Sequence, residues 1–335
     1  MDLPFFSIIV PTYKRPQALA DCLKALSTVH YPRERMEVIV VDDGSPDPPE
    51  VVVREYAKRL PVRLVLQEHA GPAAARNRGA EGGKGDCLAF VDDDCRLSPA
   101  WLKTMAGIFR EIPMCAVTGR TENILRKNLF AQTSQTLIGF LYAHYNAEPA
   151  HARFFTSNNL AVSAGLFREA GGFDTSFLRA AGEDRELCDR LLAGGHRVIY
   201  AAEALAFHAH ELTLLSFLRQ HFNYGCAAYH FHRLRARQSQ GGVGLESPRF
   251  YFSLLGRAFE GRRGLEVLHA DRQGDVLVKG QAVEERPPLI EDADLAVEGP
   301  QGGLGAVVHG ASVKGEAAPD RRQEPGQGLE QGRLA

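Results

Sequence analysis

The sequence predicts an α/β protein with a mostly parallel sheet flanked by helices. Short continuous apolar runs recur through the first 120 residues: "FFSIIV" (5–10), "MEVIVV" (36–41), "VRLVLQE" (62–68), "CLAFV" (87–91) and "CAVTG" (115–119). Between them lie segments of helical character, such as "RPQALADCLKALSTV", "PPEVVVREYAKRL" and "SPAWLKTMAGIFREI". Runs this short and this uniformly apolar suit strands buried on both faces, and their alternation with helices is the pattern of βαβ units. The composition agrees: 335 residues, 44% hydrophobic and 24% charged, describe a globular chain with a real core.

The later elements are less regular. "ILRKNLFAQTSQTLIGFLYAHYN" is expected to be an inserted helix, and "NLAVSAGLFREAGGF" a strand, a short helix and a Gly-rich turn. In "DRELCDRLLAGG", Leu187, Leu191 and Leu192 hold helical spacing before a Gly194–Gly195 stop. "HRVIYAAEALAFHAH" reads as a strand pair or a strand plus loop, and 212–235 as an amphipathic helix of apolar, aromatic and basic residues. From 236 to 335 the chain is rich in Gly, Glu, Gln, Arg and Pro and poor in aromatics. This C-terminal extension is expected to be poorly ordered, because it offers too little apolar surface to offset the entropy of folding.

A net charge of -2 supplies no basic field, so nucleic acid is not an expected partner and any phosphate binding must be local. Six scattered cysteines without a C-x-x-C pair argue against zinc knuckles or a disulfide framework and fit reduced thiols in the cytoplasm. The N-terminus lacks the basic n-region and long apolar run of a signal peptide. No stretch supplies the roughly 20 apolar residues of a membrane span, so only peripheral membrane association stays open.

Three polar clusters stand where strands should end: "PTYKR" (11–15), "DDGS" (42–45) and "DDDC" (92–95). In an open α/β sheet, ligands bind beyond the carboxyl ends of the strands. Alone, "DDGS" is turn chemistry and "DDD" a solvated loop or helix cap. Together they describe a site, since neither turns nor caps need carboxylates at two strand mouths. Three adjacent carboxylates repel, and a bound cation would relieve them. No G-x-G-x-x-G follows the first strand and no P-loop signature occurs, which removes the usual dinucleotide and NTPase readings.

The series "SIIVPTYKRPQALADCLKAL", "VIVVDDGSPD", "GPAAARNRG", "LAFVDDDC" and "GEDRELCDRL" resembles a family-2 inverting glycosyltransferase of the GT-A fold, a Rossmann-like mostly parallel sheet. The resemblance covers roughly residues 5 to 235 with the motifs in family order. It implies transfer of a sugar from a nucleotide-diphosphate donor to an acceptor hydroxyl. Residues 1–120 would be the nucleotide-binding half and 121–235 the acceptor and catalytic-base half of one domain. Asp92 and Asp94 would be the D-x-D pair, with Asp94 a direct ligand of Mn²⁺ or Mg²⁺. Pro11, Thr12 and Asp42 would form the nucleoside pocket, Asp42 facing the base, with Tyr13, Arg15 and Asp93 assigned to the same nucleotide site. Arg76 would approach the nucleotide or donor sugar. Independent chemistry agrees, because a departing diphosphate gathers charge that a cation offsets, and such cations favour carboxylate and phosphate oxygens. Arg76 and Arg78 also fall near an expected helix N-terminus, a favourable place for anions.

An inverting displacement needs a base beside the acceptor hydroxyl. Glu183 and Asp184 follow Gly182 at a helix start, where an acidic first turn is equally natural. The resemblance assigns the base to this pair: Asp184 as base, Glu183 as supporting acceptor contact. Ser157, Asn158 and Asn159 could bond sugar hydroxyls or simply form a turn, the two readings standing even. Gly171, Gly172 and Phe173 read as backbone geometry and packing. His208, with His210 on the same side of a strand, matches the place where metal-dependent relatives add a metal or phosphate contact; a lone histidine is more often structural. The donor expected is a nucleotide-diphosphate sugar, UDP-sugar favoured, and the acceptor a carbohydrate or lipid-linked molecule in glycan, glycolipid or cell-envelope polysaccharide synthesis. The expected location is cytoplasmic, including the inner face of the membrane, and the helix at 212–235 reads first as core packing, with packing over the acceptor cleft or lying on a membrane surface as the alternatives. A sugar-1-phosphate nucleotidylyltransferase lacks its Gly-rich first loop here, and a non-catalytic binding module has no need of both "DDD" and "GED".

Overall fold

The computed structural model describes residues 3–177, 181–239, 247–250, 252–254 and 256. The described elements all lie in one compact unit, Met1–Val276. The first half runs β1 (Phe6–Thr12), α1 (Pro16–Ser27), β2 (Met36–Asp42), α2 (Glu50–Tyr56), β3 (Val62–Leu66), α3 (Pro72–Glu81) and β4 (Cys87–Val91). The second runs β5 (Cys95–Leu97), α4 (Trp101–Glu111), β6 (Cys115–Asn123), α5 (Leu129–Tyr145), β7 (Asn159–Ser163), α6 (Ala164–Glu169), α7 (Glu183–Ala193), β8 (Arg197–His208) and α8 (Leu214–Ser239). The expectation of poor order for 236–335 falls, past the end of α8 and short helical stretches at 248–250 and 252–254, outside the described residues.

The strands form one sheet in the order β3-β2-β1-β4-β7-β6-β8-β5. The parallel run predicted from the apolar pattern is β3-β2-β1-β4, in which Ile8 faces Val38 and Ala89. Beyond it the sheet is mixed: β7 is antiparallel to both β4 and β6, β6 and β8 are parallel, and β5 is antiparallel to β8. Alternate residues of β1 feed two cores. Phe6, Ile8 and Val10 pack with α1 and α4 through Leu19, Leu23 and Trp101, while Ile9 packs on the other side with Phe90, Leu160 and Leu187. Each such fully buried side chain contributes about 1.5–3 kcal/mol by leaving water.

Two details of the second half depart from the sequence reading. The segment expected as a strand pair or strand plus loop is one long strand, β8, whose register with β6 jumps from Gly119–Ala201 to Arg120–Leu205. β5 was not anticipated; it follows directly from "DDD", which forms a turn closed by Cys95 N–H donating to the Asp92 carbonyl at 3.0 Å. The three aspartates therefore turn the chain from one strand of the sheet to another, with Asp94 carbonyl also receiving Ala209 N–H at 2.8 Å from the end of β8.

Asn159 holds the irregular join. Its Oδ1 accepts the Trp101 indole N–H at 2.8 Å, and its Nδ2 donates to the carbonyls of Arg120 (3.0 Å) and Ala204 (2.9 Å). The bulge in β8 is thereby bonded to a side chain instead of to its neighbouring strand. Gly119 lets this happen, since a Cβ there would sit 2.5 Å from Asn159 Nδ2 and closer still to the Ala204 oxygen. Replacing Asn159 by Ala leaves one buried donor and two carbonyls unmatched, at about 1–3 kcal/mol for each group that finds no water. Urea unfolding of Asn159→Ala should show a loss of at least ~2 kcal/mol; a change of a few tenths would mean the amide does not hold this join.

Candidate active site

The loops after β1 and β4 meet the ends of β6 and β8 and the start of α7 around one cleft of roughly 360 Å³. Its floor is a charge lattice. Arg76, on α3 and 2% exposed, donates from Nη2 to Asp92 Oδ1 at 2.7 Å and from Nη1 to Glu183 Oε1 at 2.8 Å. Its guanidinium lies over the Phe173 ring. Arg15, just before α1, pairs from Nη2 with Asp93 Oδ1 at 2.6 Å and from Nη1 with Asp94 Oδ2 at 2.8 Å. From β8, His208 Nε2 stands 3.1 Å from Asp94 Oδ1, and His210 Nδ1 stands 3.2 Å from Asp94 Oδ2. Arg78, by contrast, faces outward and meets Glu81.

The structure separates the expected site residues into two groups. Arg15, Arg76, Asp92, Asp94, Ser157, Asn158, Glu183, Asp184 and His208 all reach the cleft. Thr12, Asp42, Asp93 and Asn159 do not; they are buried and hold neighbouring groups. Thr12 donates its hydroxyl to Asp93 Oδ2 at 2.6 Å, so Asp93 is walled in between Thr12 and Arg15. The expectation of Asp93 at the nucleotide thus meets a side chain with no exposed surface. Asp42, expected to face the base, accepts the backbone N–H and hydroxyl of Ser45 at 2.9 and 2.6 Å, the turn chemistry that "DDGS" also suggested. Asp43 accepts Gln67 Nε2 and the N–H groups of Ala70 and Gly71, which fixes the loop into α3 and so aims Arg76. Pro11 is buried within β1, and Tyr13 stacks on His69 with ring centroids 4.4 Å apart. Asn159, read evenly as sugar ligand or turn, is spent entirely on the sheet join described above.

Glu183 and Asp184 stand side by side at the start of α7, after Gly182 at φ 86°. Glu183 is 2% exposed and locked to Arg76, but its Oε2 has no hydrogen-bond partner. Among the described residues Asp184 accepts backbone N–H groups: Arg185 at 2.8 Å and, more weakly, Ser157 at 3.4 Å. Burial, then the neighbouring Asp184 charge, push the Glu183 carboxyl up to about 7 against the pull of Arg76. Burial likewise raises Asp184 and takes Asp93 up to about 7. Asp94 moves the other way: burial would raise it, but His208, His210 and Arg15 hold it well below the usual range.

The donor chemistry for a cation is present. Asp94, Cys95 and His208 each offer a ligand atom, all within 4.8 Å of one another. Cys95 is fully buried and its thiol is pushed well above its ordinary value by burial, then by the three aspartates, so it stays protonated. That leaves a carboxylate and an imidazole, with Asp92 lining the same cleft, a set that fits Mn²⁺ or Mg²⁺.

No single residue of the far wall was picked out from the sequence. Thr121, Asn123 and Gln135 line it from β6 and α5, and Gln220, Asn223 and Tyr224 from α8. The available signal was the spacing of Ser216, Gln220 and Asn223, a polar stripe one helical face wide in an apolar and basic helix.

Residues 7–171 match the family described as "Glycosyl transferase family 2". The chain belongs to glycosyltransferase family 2. Among relatives of this family-2 chain, Glycosyltransferase AglE of Haloferax volcanii is 26% identical over 209 residues, which are 62% of this chain and 67% of the relative. Validoxylamine A glucosyltransferase of Streptomyces hygroscopicus subsp. jinggangensis is 30% identical over 240 residues, covering 63% of this chain and 57% of its own. In solved structures, the mannosyltransferase PcManGT from Pyrobaculum calidifontis, in complex with GDP-Man and Mn²⁺, superposes with TM-score 0.55 at 19% identity over 82% of this chain and 77% of that one. TarS 1–349 of S. aureus with UDP-GlcNAc gives TM-score 0.54 at 19% identity, covering 76% and 73%. The fold is GT-A, as the motif order implied.

The raised Glu183 value has a consequence for stability. Unfolded, this carboxyl titrates near about 4.3; folded, it does so at about 7. The native state therefore binds the extra proton in between, and this contribution to stability is lost as pH rises through that window. In metal-free buffer, Glu183→Gln should flatten the fall in melting temperature between about pH 4.5 and 7; an unchanged slope would remove Glu183 as its source.

Proposed function

We propose that this chain is a metal-dependent inverting glycosyltransferase that moves a sugar from a nucleotide-diphosphate donor, a UDP-sugar first, to a hydroxyl of a carbohydrate or lipid-linked acceptor. The observation that carries the reading is the shared cleft: Asp94 with His208 at one end, and Asp184 beside the Arg76-anchored Glu183 at the other. Support also comes from the relatives, whose descriptions name glucosyl and other sugar transfer, and from the nucleotide sugars in the two GT-A structures. Family membership leaves the nucleotidylyltransferase reading without support.

Asp92, Asp94 and His208 would hold the divalent ion, Mn²⁺ favoured over Mg²⁺ by the imidazole. When bound, that ion offsets the charge that develops on the diphosphate. Arg15 sets the Asp94 carboxylate from behind and, being half exposed, has a cationic edge free to meet phosphate oxygens. Asp184 takes the proton of the acceptor hydroxyl as its oxygen attacks the anomeric carbon and the nucleoside diphosphate leaves from the opposite face. Asp184 suits this better than Glu183, because among the described residues it accepts from backbone N–H groups, whereas Glu183 is tied to the Arg76 guanidinium. Glu183 contributes its unpartnered Oε2 as a second acceptor contact. Ser157 and Asn158 supply polar groups at the sugar, and Tyr13 with Pro11 and Asp42 frames the nucleoside end. Six free thiols are consistent with a cytoplasmic setting. Among the described residues no helix is long and apolar enough to cross a membrane.

Calorimetric titration with UDP, GDP, dTDP and CDP, with and without Mn²⁺, tests the donor site. Asp94→Ala should abolish the metal-dependent part of nucleotide binding, and unaltered affinity would remove Asp94 from the metal. Asp184→Asn should lower turnover by about 10²–10⁴-fold while sparing donor binding. Because burial raises Asp184, the wild-type rate should climb with pH through a midpoint above the ordinary carboxylate range. A rate already flat from about pH 4 would assign the base elsewhere.

A further inference from the structure

α8 carries two different surfaces. Ser216, Gln220, Asn223 and Tyr224 line the cleft. About 150° around the same helix, Leu215, Leu218, Phe222 and Tyr229 form a continuous stripe at 78%, 54%, 69% and 67% exposure. Their spacing puts them on one face with the exposed Cys226 and Arg233. A helix packed into a core does not leave four large apolar side chains more than half in water. The bland sequence reading of 212–235 as core packing therefore accounts for only one of its faces.

The charge pattern selects what covers this stripe. In its 26 residues α8 has no Asp or Glu, but contains Arg219, Arg233, Arg235 and Arg237, of which Arg235 pairs with Asp189 on α7 at 3.5 Å. A second copy of the helix would bring cation against cation. It would also make a poor zipper, because the positions that should alternate with Leu215, Phe222 and Tyr229 are filled, after Leu218, by Gly225 and His232. An apolar stripe on a helix wholly lacking acidic residues is complementary to a negatively charged, apolar-cored surface. We infer that α8 is an interfacial docking helix that lays Leu215, Leu218, Phe222 and Tyr229 into the headgroup boundary of an anionic lipid bilayer. Arg219, at the junction of the stripe and the cleft wall, then lies where the cleft opens toward the lipid. This inference does not depend on the reaction proposed above.

The test is co-sedimentation of the full chain with phosphatidylcholine vesicles, and with vesicles that also contain phosphatidylglycerol. The chain should pellet with the anionic vesicles, and its binding should fall steeply at about 0.5 M salt. Leu215→Ser combined with Phe222→Ser should abolish pelleting, with helix content and melting temperature checked against wild type. Should the double variant misfold, Arg233→Gln alters only an exposed charge and should weaken binding about fivefold. Three results would overturn the inference: no pelleting with either vesicle, equal pelleting with neutral and anionic vesicles, or a soluble dimer that the double substitution dissolves. Nucleotide binding by the same variants, measured separately, keeps a failure here distinct from a failure of the catalytic reading.

Discussion

The site is built around one buried cation. Arg76 leaves water almost completely, which costs several kcal/mol unless its charge is matched, and it is matched by Asp92 from the turn after β4 and Glu183 from the start of α7. Removing either carboxylate would leave an unbalanced charge at about 3–5 kcal/mol. Strong mutual dependence of this kind fixes geometry. The helix that carries Asp184 is thereby held against the strand ends that carry the D-x-D pair, although the two are far apart in sequence.

Charge balance then explains the rest of the cleft. Among the described residues, the guanidiniums paired with Asp92, Asp93, Asp94 and Glu183 are those of Arg15 and Arg76, so carboxylates outnumber guanidiniums in the lattice. Two remedies are visible. Asp93 and Glu183 rise to about 7 and so hold protons far more readily than free carboxyls do. Asp94 instead draws in two imidazoles and stays ionised, and His208 is raised in return because the pull of Asp94 outweighs burial. The proposed divalent ion is a third remedy for the same deficit, and it belongs at the carboxylate that has remained charged.

Much of this was legible because of how burial writes itself into sequence. Strands β1, β2 and β4, covered on both faces, must be apolar throughout, and their polar terminations mark the crevice. β5 was missed because three residues carry no period, and β8 was blurred because its bulge interrupts the alternation with "AAEA". Asn159 was undecidable for a different reason. An amide beside a strand can serve sugar or backbone, and its actual partners, Trp101 and the carbonyls of residues 120 and 204, are distant in the chain. Asp42 and Asp93 show what the pattern could not carry: strand-end carboxylates announce a site, but packing shows that Ser45 bonds to Asp42 while Thr12 and Arg15 hold Asp93.

Glu183 and Asp184 make the same point at the smallest scale. They are neighbours of like charge, yet successive side chains on a helix diverge by about 100°. One therefore enters the lattice beneath the cleft while the other, among the described residues, accepts from backbone N–H groups. α8 repeats this division along its length, with a polar face for the cleft and an apolar face turned outward. A helix divided in this way cannot rotate to bury its leucines without withdrawing Gln220, Asn223 and Tyr224 from the cleft wall. The exposed stripe is thus the cost of using α8 as part of the site, unless another surface covers it. A lipid interface would remove that cost without disturbing the wall.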